Sequence, residues 1–165
     1  MDSDPVRVVA TLHRHGVEFI VVGGLAAVAH GSPLATEDVD IAPRRDRGNF
    51  DRLAAALAEL GARLRVAGEP DGVPFPIDAG FLAAQPHLLT MVTDAGDVDL
   101  TITPSGFPNG YDDLIAGSVI VDLGDGGATR IAALRDVIAS KEAAGRDKDL
   151  AALPYLRALA DELNR

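Results

Sequence analysis

The chain has no cysteine, no tryptophan and only two lysines, Lys141 and Lys148, among its 15 basic residues. The missing cysteine excludes disulfides, zinc–thiolate centres and thiol nucleophiles. No run approaches the roughly 18 apolar residues of a membrane-spanning helix, and no basic segment leads into a short apolar one. A membrane span and a secretory signal are therefore not expected, and the expected location is the cytoplasm. Positive charge is scarce as well: 25 acidic side chains against 15 basic ones give a net charge of −10. Broad, sequence-independent coating of nucleic acid needs clustered cations and is disfavoured. A nucleotide held through metal ions on carboxylates is compatible with this balance. At 165 residues, 47% hydrophobic and 24% charged, with no repeat and no linker, the sequence reads as one soluble domain. Its expected core covers about residues 17–130, and a helical segment follows over about 131–163.

Apolar spacing predicts a helix over 5–15 closed by Gly16, then a buried strand over 18–22 ending at Gly23-Gly24. A short helix is expected from Leu25 to His30, a strand at Asp38-Val39-Asp40-Ile41, and an amphipathic helix from Asp46 to Leu60. Residues 66–87, rich in Pro and Gly, read as irregular or short hairpin structure. Strands over 88–92 and 97–102 form an expected hairpin through Asp94-Ala95-Gly96. Short strands over 118–123 and 128–131 precede helices from Ile131 to Ala144 and from about Asp147 to Leu163. Pro154 is expected to bend the last helix or delay its start. Strands flanked by helices at both ends give an α+β (mixed α/β) fold.

Asp38-Val39-Asp40 is the sharpest local feature. In a strand, residues i and i+2 share a face, so both carboxylates point one way while Val39 and Ile41 point toward a core. Two like charges this close repel unless a proton or a cation lies between them, and Mg2+ takes oxygen ligands. Alone, such a pair is more often a solvated strand edge than a metal site. A second pair, Asp97-Val98-Asp99, follows. If the two strands are neighbours, Asp99 is the favoured third ligand, because Asp97 sits at the turn and reads as a turn or cap residue. Gly23-Gly24 lies after a strand and before a helix, 14 residues ahead of Asp38. Glycines there let backbone N–H groups approach a phosphate. The combination is more specific than either part.

The string Val22-Gly23-Gly24-Leu25-Ala26-Ala27-Val28-Ala29-His30-Gly31, followed by Thr36-Glu37-Asp38-Val39-Asp40, resembles the polymerase-β-like nucleotidyltransferase superfamily. More narrowly it resembles the AbiEii/MenT-type minimal nucleotidyltransferases, many of them toxins of bacterial toxin–antitoxin systems. The segment Leu134–Lys141 with Ala143–Leu150, a lysine-bearing helix followed by R-x-K-D, is similar to that group's C-terminal motif. The likeness covers residues 17 to about 160, with the middle matching only in outline. It implies a polymerase-β-like mixed sheet and transfer of NMP from an NTP to an acceptor hydroxyl. Asp38, Asp40 and Asp99 would bind two Mg2+ ions, and Gly23 and Gly24 would contact phosphates. Lys141 would meet the triphosphate, with Thr36, Arg146, Lys148 and Asp149 bordering the nucleotide. The 3′ end of tRNA is the implied acceptor and an antitoxin the implied partner. The alternatives are a protein or small-molecule (antibiotic) acceptor, or a non-catalytic nucleotide-binding module. Many relatives carry arginine where this chain has Leu34, which bears on substrate choice and not on the metal ligands. Thr36 is also a candidate for inactivating phosphorylation, or simply a residue turning into the strand.

Arg7 and His13 form an R-x5-H spacing that loosely resembles the ribonuclease motif of HEPN proteins, a spacing common by chance. His30 reads as a satisfied helix-end histidine, and His87, in a loop after a proline, carries no signal. Arg44, Arg45 and Arg47 form the one dense basic cluster, expected either as a solvated helix start or as a patch for an acceptor phosphate.

Overall fold

The computed structural model describes residues 2–165. Helix α1 (Pro5–Arg14) begins at Asp4, whose side chain accepts from the Arg7 N–H, and its apolar stripe buries Val8, Val9 and Leu12. Strand β1 (Phe19–Val22) leads without a spacer into α2 (Gly23–Ala29), and β2 (Val39–Pro43) follows. Asp46 caps α3 (Arg47–Glu59), which buries Phe50, Leu53 and Leu57. The Pro/Gly-rich middle is more ordered than its composition suggests: β3 (Arg63–Val66) and β4 (Glu69–Val73) pair as a hairpin, and Asp78 caps a short helix α4 (Ala79–Ala83). Strands β5 (Leu88–Thr93) and β6 (Gly96–Thr101) form the expected hairpin. A four-residue helix α5 (Tyr111–Leu114) was not foreseen; one turn has no periodicity to read. Strands β7 (Val119–Asp122) and β8 (Ala128–Ile131) precede α6 (Leu134–Ala144) and α7 (Asp147–Leu163). Helix α6 starts at Leu134 and not at Ile131, because Ile131 is taken up by pairing with Val21. Gly145, at φ 63°, ends α6 in the left-handed conformation that a side chain disfavours. Helix α7 starts at Asp147 and runs through Pro154, leaving the Leu150 carbonyl without its helical donor.

The strands form one mixed eight-stranded sheet in the order β4-β3-β5-β6-β2-β1-β8-β7. Two pairings are parallel, β2 with β6 and β1 with β8; the others are antiparallel. Strand periodicity sorts the faces. Val39, Ile41, Val98, Leu100 and Met91 are buried in the same apolar core as α1, α3 and α4. The intervening residues Asp40, Asp99, Thr90 and Thr101 lie on the opposite, less covered face. No helix among the described residues is long and apolar enough to cross a membrane.

Candidate functional site

The parallel pairing of β2 with β6 sets Asp40 directly opposite Asp99, and the antiparallel pairing of β1 with β2 sets Val22 opposite Asp40. One lateral row therefore runs Thr90, Asp99, Asp40, Val22, and Gly23 follows at its end. Neighbouring strands lie about 4.8 Å apart, so the two carboxylates face each other at side-chain range. Gly23 has φ 63°, and a Cβ built there would run into the Asp40 carboxylate. A Cβ on Gly24 would stand 2.9 Å from the Thr36 hydroxyl oxygen. Both glycines are thus required by close approach, and the two signals read separately in sequence are one contact in space.

The electrostatics show why this arrangement asks for a cation. Burial first, then the Asp99 charge and hydrogen bond and the Asp38 charge, together raise the pKa of Asp40 from 3.8 to about 7, with Lys148 opposing them. Burial also raises Asp99; its hydrogen bond with Asp40 works against this and the Asp38 charge adds to it. One oxygen of Asp99, Oδ1, is buried with no hydrogen-bond partner. A buried acceptor left unpaired costs on the order of 1–3 kcal/mol, which a cation would remove. Among the described residues no three His, Cys, Asp or Glu side chains are already gathered as a cation cage. Asp40 and Asp99 are the assembled pair, and Asp38, just ahead of β2, would close on a bound ion. An oxygen-only donor set fits Mg2+.

The carboxylates form the floor of a cleft of about 740 Å³. Every residue assigned above to metal or nucleotide lines it: Asp38, Asp40, Asp99, Gly23, Gly24, Thr36, Lys141, Arg146, Lys148 and Asp149. The cations come from α6 and α7, which pack against each other and, through α6, against α2. Asp149 is buried and serves them. Its Oδ2 accepts from the Arg146 Nε at 2.7 Å and from the Arg146 backbone N–H at 3.2 Å, and its Oδ1 lies 3.7 Å from the Lys141 Nζ. Burial pushes the Asp149 carboxyl up, yet the Arg146 hydrogen bonds outweigh it and hold it below the usual range. Asp149 therefore positions two cations and is spent in doing so. Thr36 lines the cleft, with its hydroxyl 3.4 Å from the Asp38 carbonyl, and Leu34 presents an apolar side chain in the same wall.

Asp97 lies outside the cleft and is engaged in an ion pair with Arg65, so it is neither the third carboxylate nor a simple turn residue. The arginine cluster is not beside the site. Strand β2 carries the chain about 10 Å away from Asp40 before it ends at Pro43, and none of Arg44, Arg45 and Arg47 lines the cleft. Arg44 is paired with Glu18 and Asp46, and Arg47 lies 3.8 Å from Asp51. His30 Nε2 donates to the Ala132 carbonyl (2.8 Å), as a satisfied helix-end histidine should. His13 is tied to Thr129 and packed on Phe19, and neither it nor Arg7 lines the cleft. Sequence reasoning missed His87: the β5–β6 hairpin brings it to the cleft wall with Thr101, Thr103 and Ser105. A loop histidine 12 residues from Asp99 offered no pattern by which to find it.

No protein-family model matches the chain, and no curated protein matches it. Among solved structures, the fold is similar to that of a candidate nucleotidyltransferase from Thermotoga maritima, at 17% identity and a TM-score of 0.55. The match covers 94% of this chain and 89% of that one. At that identity the likeness establishes a shared mixed α+β architecture.

Proposed function

We propose that this protein is a Mg2+-dependent nucleotidyltransferase that moves NMP from an NTP to an acceptor hydroxyl and releases pyrophosphate. One observation carries the reading. Asp40 and Asp99 meet in register on parallel strands, with a buried unpartnered oxygen, beneath a wall bearing Lys141, Arg146 and Lys148. The likeness of the fold to the Thermotoga protein supports it. Asp38, Asp40 and Asp99 would hold two Mg2+ ions, which supply charge to polarise the acceptor oxygen and to neutralise the leaving pyrophosphate.

The residues of the chain do the rest. Gly23 and Gly24 open the first turn of α2, whose N–H groups have no helical partner, to the phosphates. Lys141 and Arg146, held by Asp149, meet the β- and γ-phosphates, where negative charge grows as the bond from the α-phosphorus breaks. The acceptor oxygen forms its bond to the α-phosphorus on the side of Asp99, which receives the hydroxyl proton. Lys148 lies close enough to Asp40 to offset its charge.

The acceptor implied by the sequence resemblance is the 3′ end of tRNA, with an antitoxin as regulatory partner. The removal of Arg44, Arg45 and Arg47 from the cleft favours a second reading, a protein or small-molecule hydroxyl, because a polyanion finds few cations beside Asp99. Labelled NTP and Mg2+ with total RNA, with protein or with an aminoglycoside tests both. Label on RNA alone supports tRNA-type chemistry; label on protein or drug alone supports the second. Asp38→Asn and Asp40→Asn should abolish transfer. Transfer at wild-type rate in either would overturn the metal assignment.

A further inference from the structure

The two edges of the sheet are unlike. Strand β4, at one edge, carries Pro70 between Glu69 and Asp71. Proline has no N–H to offer a new strand, and charge beside it repels one, so this edge is guarded. Strand β7, at the other edge, pairs with β8 alone and has no such guard along Val119-Ile120-Val121. Ile120 is 61% exposed, more than any other large apolar side chain among the described residues.

The hydrogen bonds around β8 fix which backbone groups of β7 are free. The Leu123 N–H donates to the Gly127 carbonyl at 3.0 Å, and on the other side of β8 the Ala132 N–H donates to the Val21 carbonyl at 2.9 Å. Odd-numbered residues of β8 therefore turn their backbone groups to β7 and even-numbered ones to β1. Val119 and Val121 stand opposite Ile131 and Thr129, so they are the bonded residues of β7. Ile120 and Asp122, which alternate with them, hold their N–H and C=O groups outward.

An antiparallel second copy of β7 satisfies all four groups at once, with Ile120 opposite Asp122 of the second copy and Val121 on the twofold axis. Sliding by two residues one way would set the two Asp122 carboxylates against each other. Sliding the other way would need the Ser118 N–H, which already donates to the Leu114 carbonyl at 3.1 Å. Charge favours the same register. Arg130 stands beside Ile120 across the β7–β8 ladder, so a row would run Arg130, Ile120, Asp122 of the second copy. Half-buried Arg130 donates to the Ser118 Oγ at 3.1 Å and is in no ion pair among the described residues. Asp122 spends only Oδ1, which accepts from the Gly124 N–H at 2.8 Å. Two strand spacings, about 10 Å between Cα atoms, are within the combined span of an arginine and an aspartate side chain.

We propose that the chain forms a twofold dimer by pairing β7 with β7 of a second copy, held by two reciprocal Arg130–Asp122 ion pairs, so that one sheet runs through both copies. The contact is isologous and closes on itself, and Pro70 on the opposite edge keeps the dimers from adding end to end. A four-residue ladder is a small interface, so association is expected in the micromolar range.

Sedimentation velocity of the full chain from about 1 to 200 µM tests it. The wild type should pass from monomer to dimer. Ile120→Pro removes an outward N–H and no bond to β8, and should weaken association at least about tenfold with an unchanged circular dichroism spectrum. Arg130→Asp and Asp122→Arg each set like charges against each other across the axis, so each variant alone, folded by circular dichroism, should be monomeric. Mixed in equal amounts they should form a heterodimer, because each supplies the charge that the other lacks. A dimer through any other face would not be lost and recovered in this way. A wild type that stays monomeric throughout, single variants that dimerise as the wild type does, or a mixture that remains monomeric would overturn the proposal.

Discussion

Asp40→Asn should make the metal-free protein more stable while destroying its activity. The carboxyl of Asp40 stands at about 7 in the folded state against 3.8 as its ordinary value. Between those limits the folded chain keeps the proton that the unfolded chain has lost, so folding stability falls as pH rises through the interval. Below pH 3.8 both states are protonated and no penalty exists; above about 7 both are ionised and the penalty is complete. At about 1.4 kcal/mol per pH unit over roughly three units, it amounts to ~4 kcal/mol. Asparagine is the same size, never ionises, and can donate to Asp99 where the protonated carboxyl did. For a chain of this length, ~4 kcal/mol corresponds to a melting temperature higher by on the order of 10 °C. Thermal unfolding at pH 8 without Mg2+ should show that gain, and the gap should close toward pH 4. Mg2+ should then stabilise the wild type, by about 2.7 kcal/mol at a hundred times its dissociation constant, and leave the variant behind. A variant that melts below the wild type at pH 8, or a gap independent of pH, would refute the reasoning.

Gly23→Ala should lose nucleotide binding and about 1–2 kcal/mol of stability, because alanine is strained at φ 63° and its methyl displaces the Asp40 carboxylate; titration with NTP and thermal unfolding check both. Asp149→Asn should cost about 3 kcal/mol at pH 7 and raise KM for NTP more than it lowers kcat, since Arg146 and Lys141 lose their anchor. Its carboxyl is held below the ordinary value, so the stability it supplies is present at neutral pH and disappears as acid titrates it; unfolding of wild type and variant should converge there. Asp99→Asn should abolish transfer, whereas Asp97→Asn, which only releases Arg65, should stay within a few-fold of wild type in a pyrophosphate-release assay.

The parts of the site that were legible in the sequence are those governed by local rules. A strand imposes a period of two, so the Asp38/Asp40 and Asp97/Asp99 pairs each announced a shared face, and glycines between a strand and a helix announced close approach. Sequence could also favour Asp99 over Asp97, because a turn boundary is a local event. The rest depended on how strands are ordered. Arg44, Arg45 and Arg47 are near Asp40 along the chain and far from it in space, since an extended strand separates its ends as fast as a chain can. His87 shows the converse: far from the motifs in sequence, it is folded onto the cleft by the β5–β6 hairpin. Strands β3 and β4 lack alternation because most of their residues stay exposed; pairing on the sheet edge, not propensity, makes them strands. Asp149 lines the cleft and is also a buried anchor for Arg146, a role set by burial that no motif reports.

The pairing of Asp40 with Asp99 joins residues 59 positions apart through a parallel contact. Parallel strands cannot be closed by a tight turn, so the two aspartates meet only across the long connection that runs from α3 through the β5–β6 hairpin. A chain still being made, or one that has opened locally at this seam, has two separate and ordinary carboxylates. It therefore has no strained pair there. The proposed chemistry would then depend on completion of the sheet, and a partly folded molecule would be a silent one.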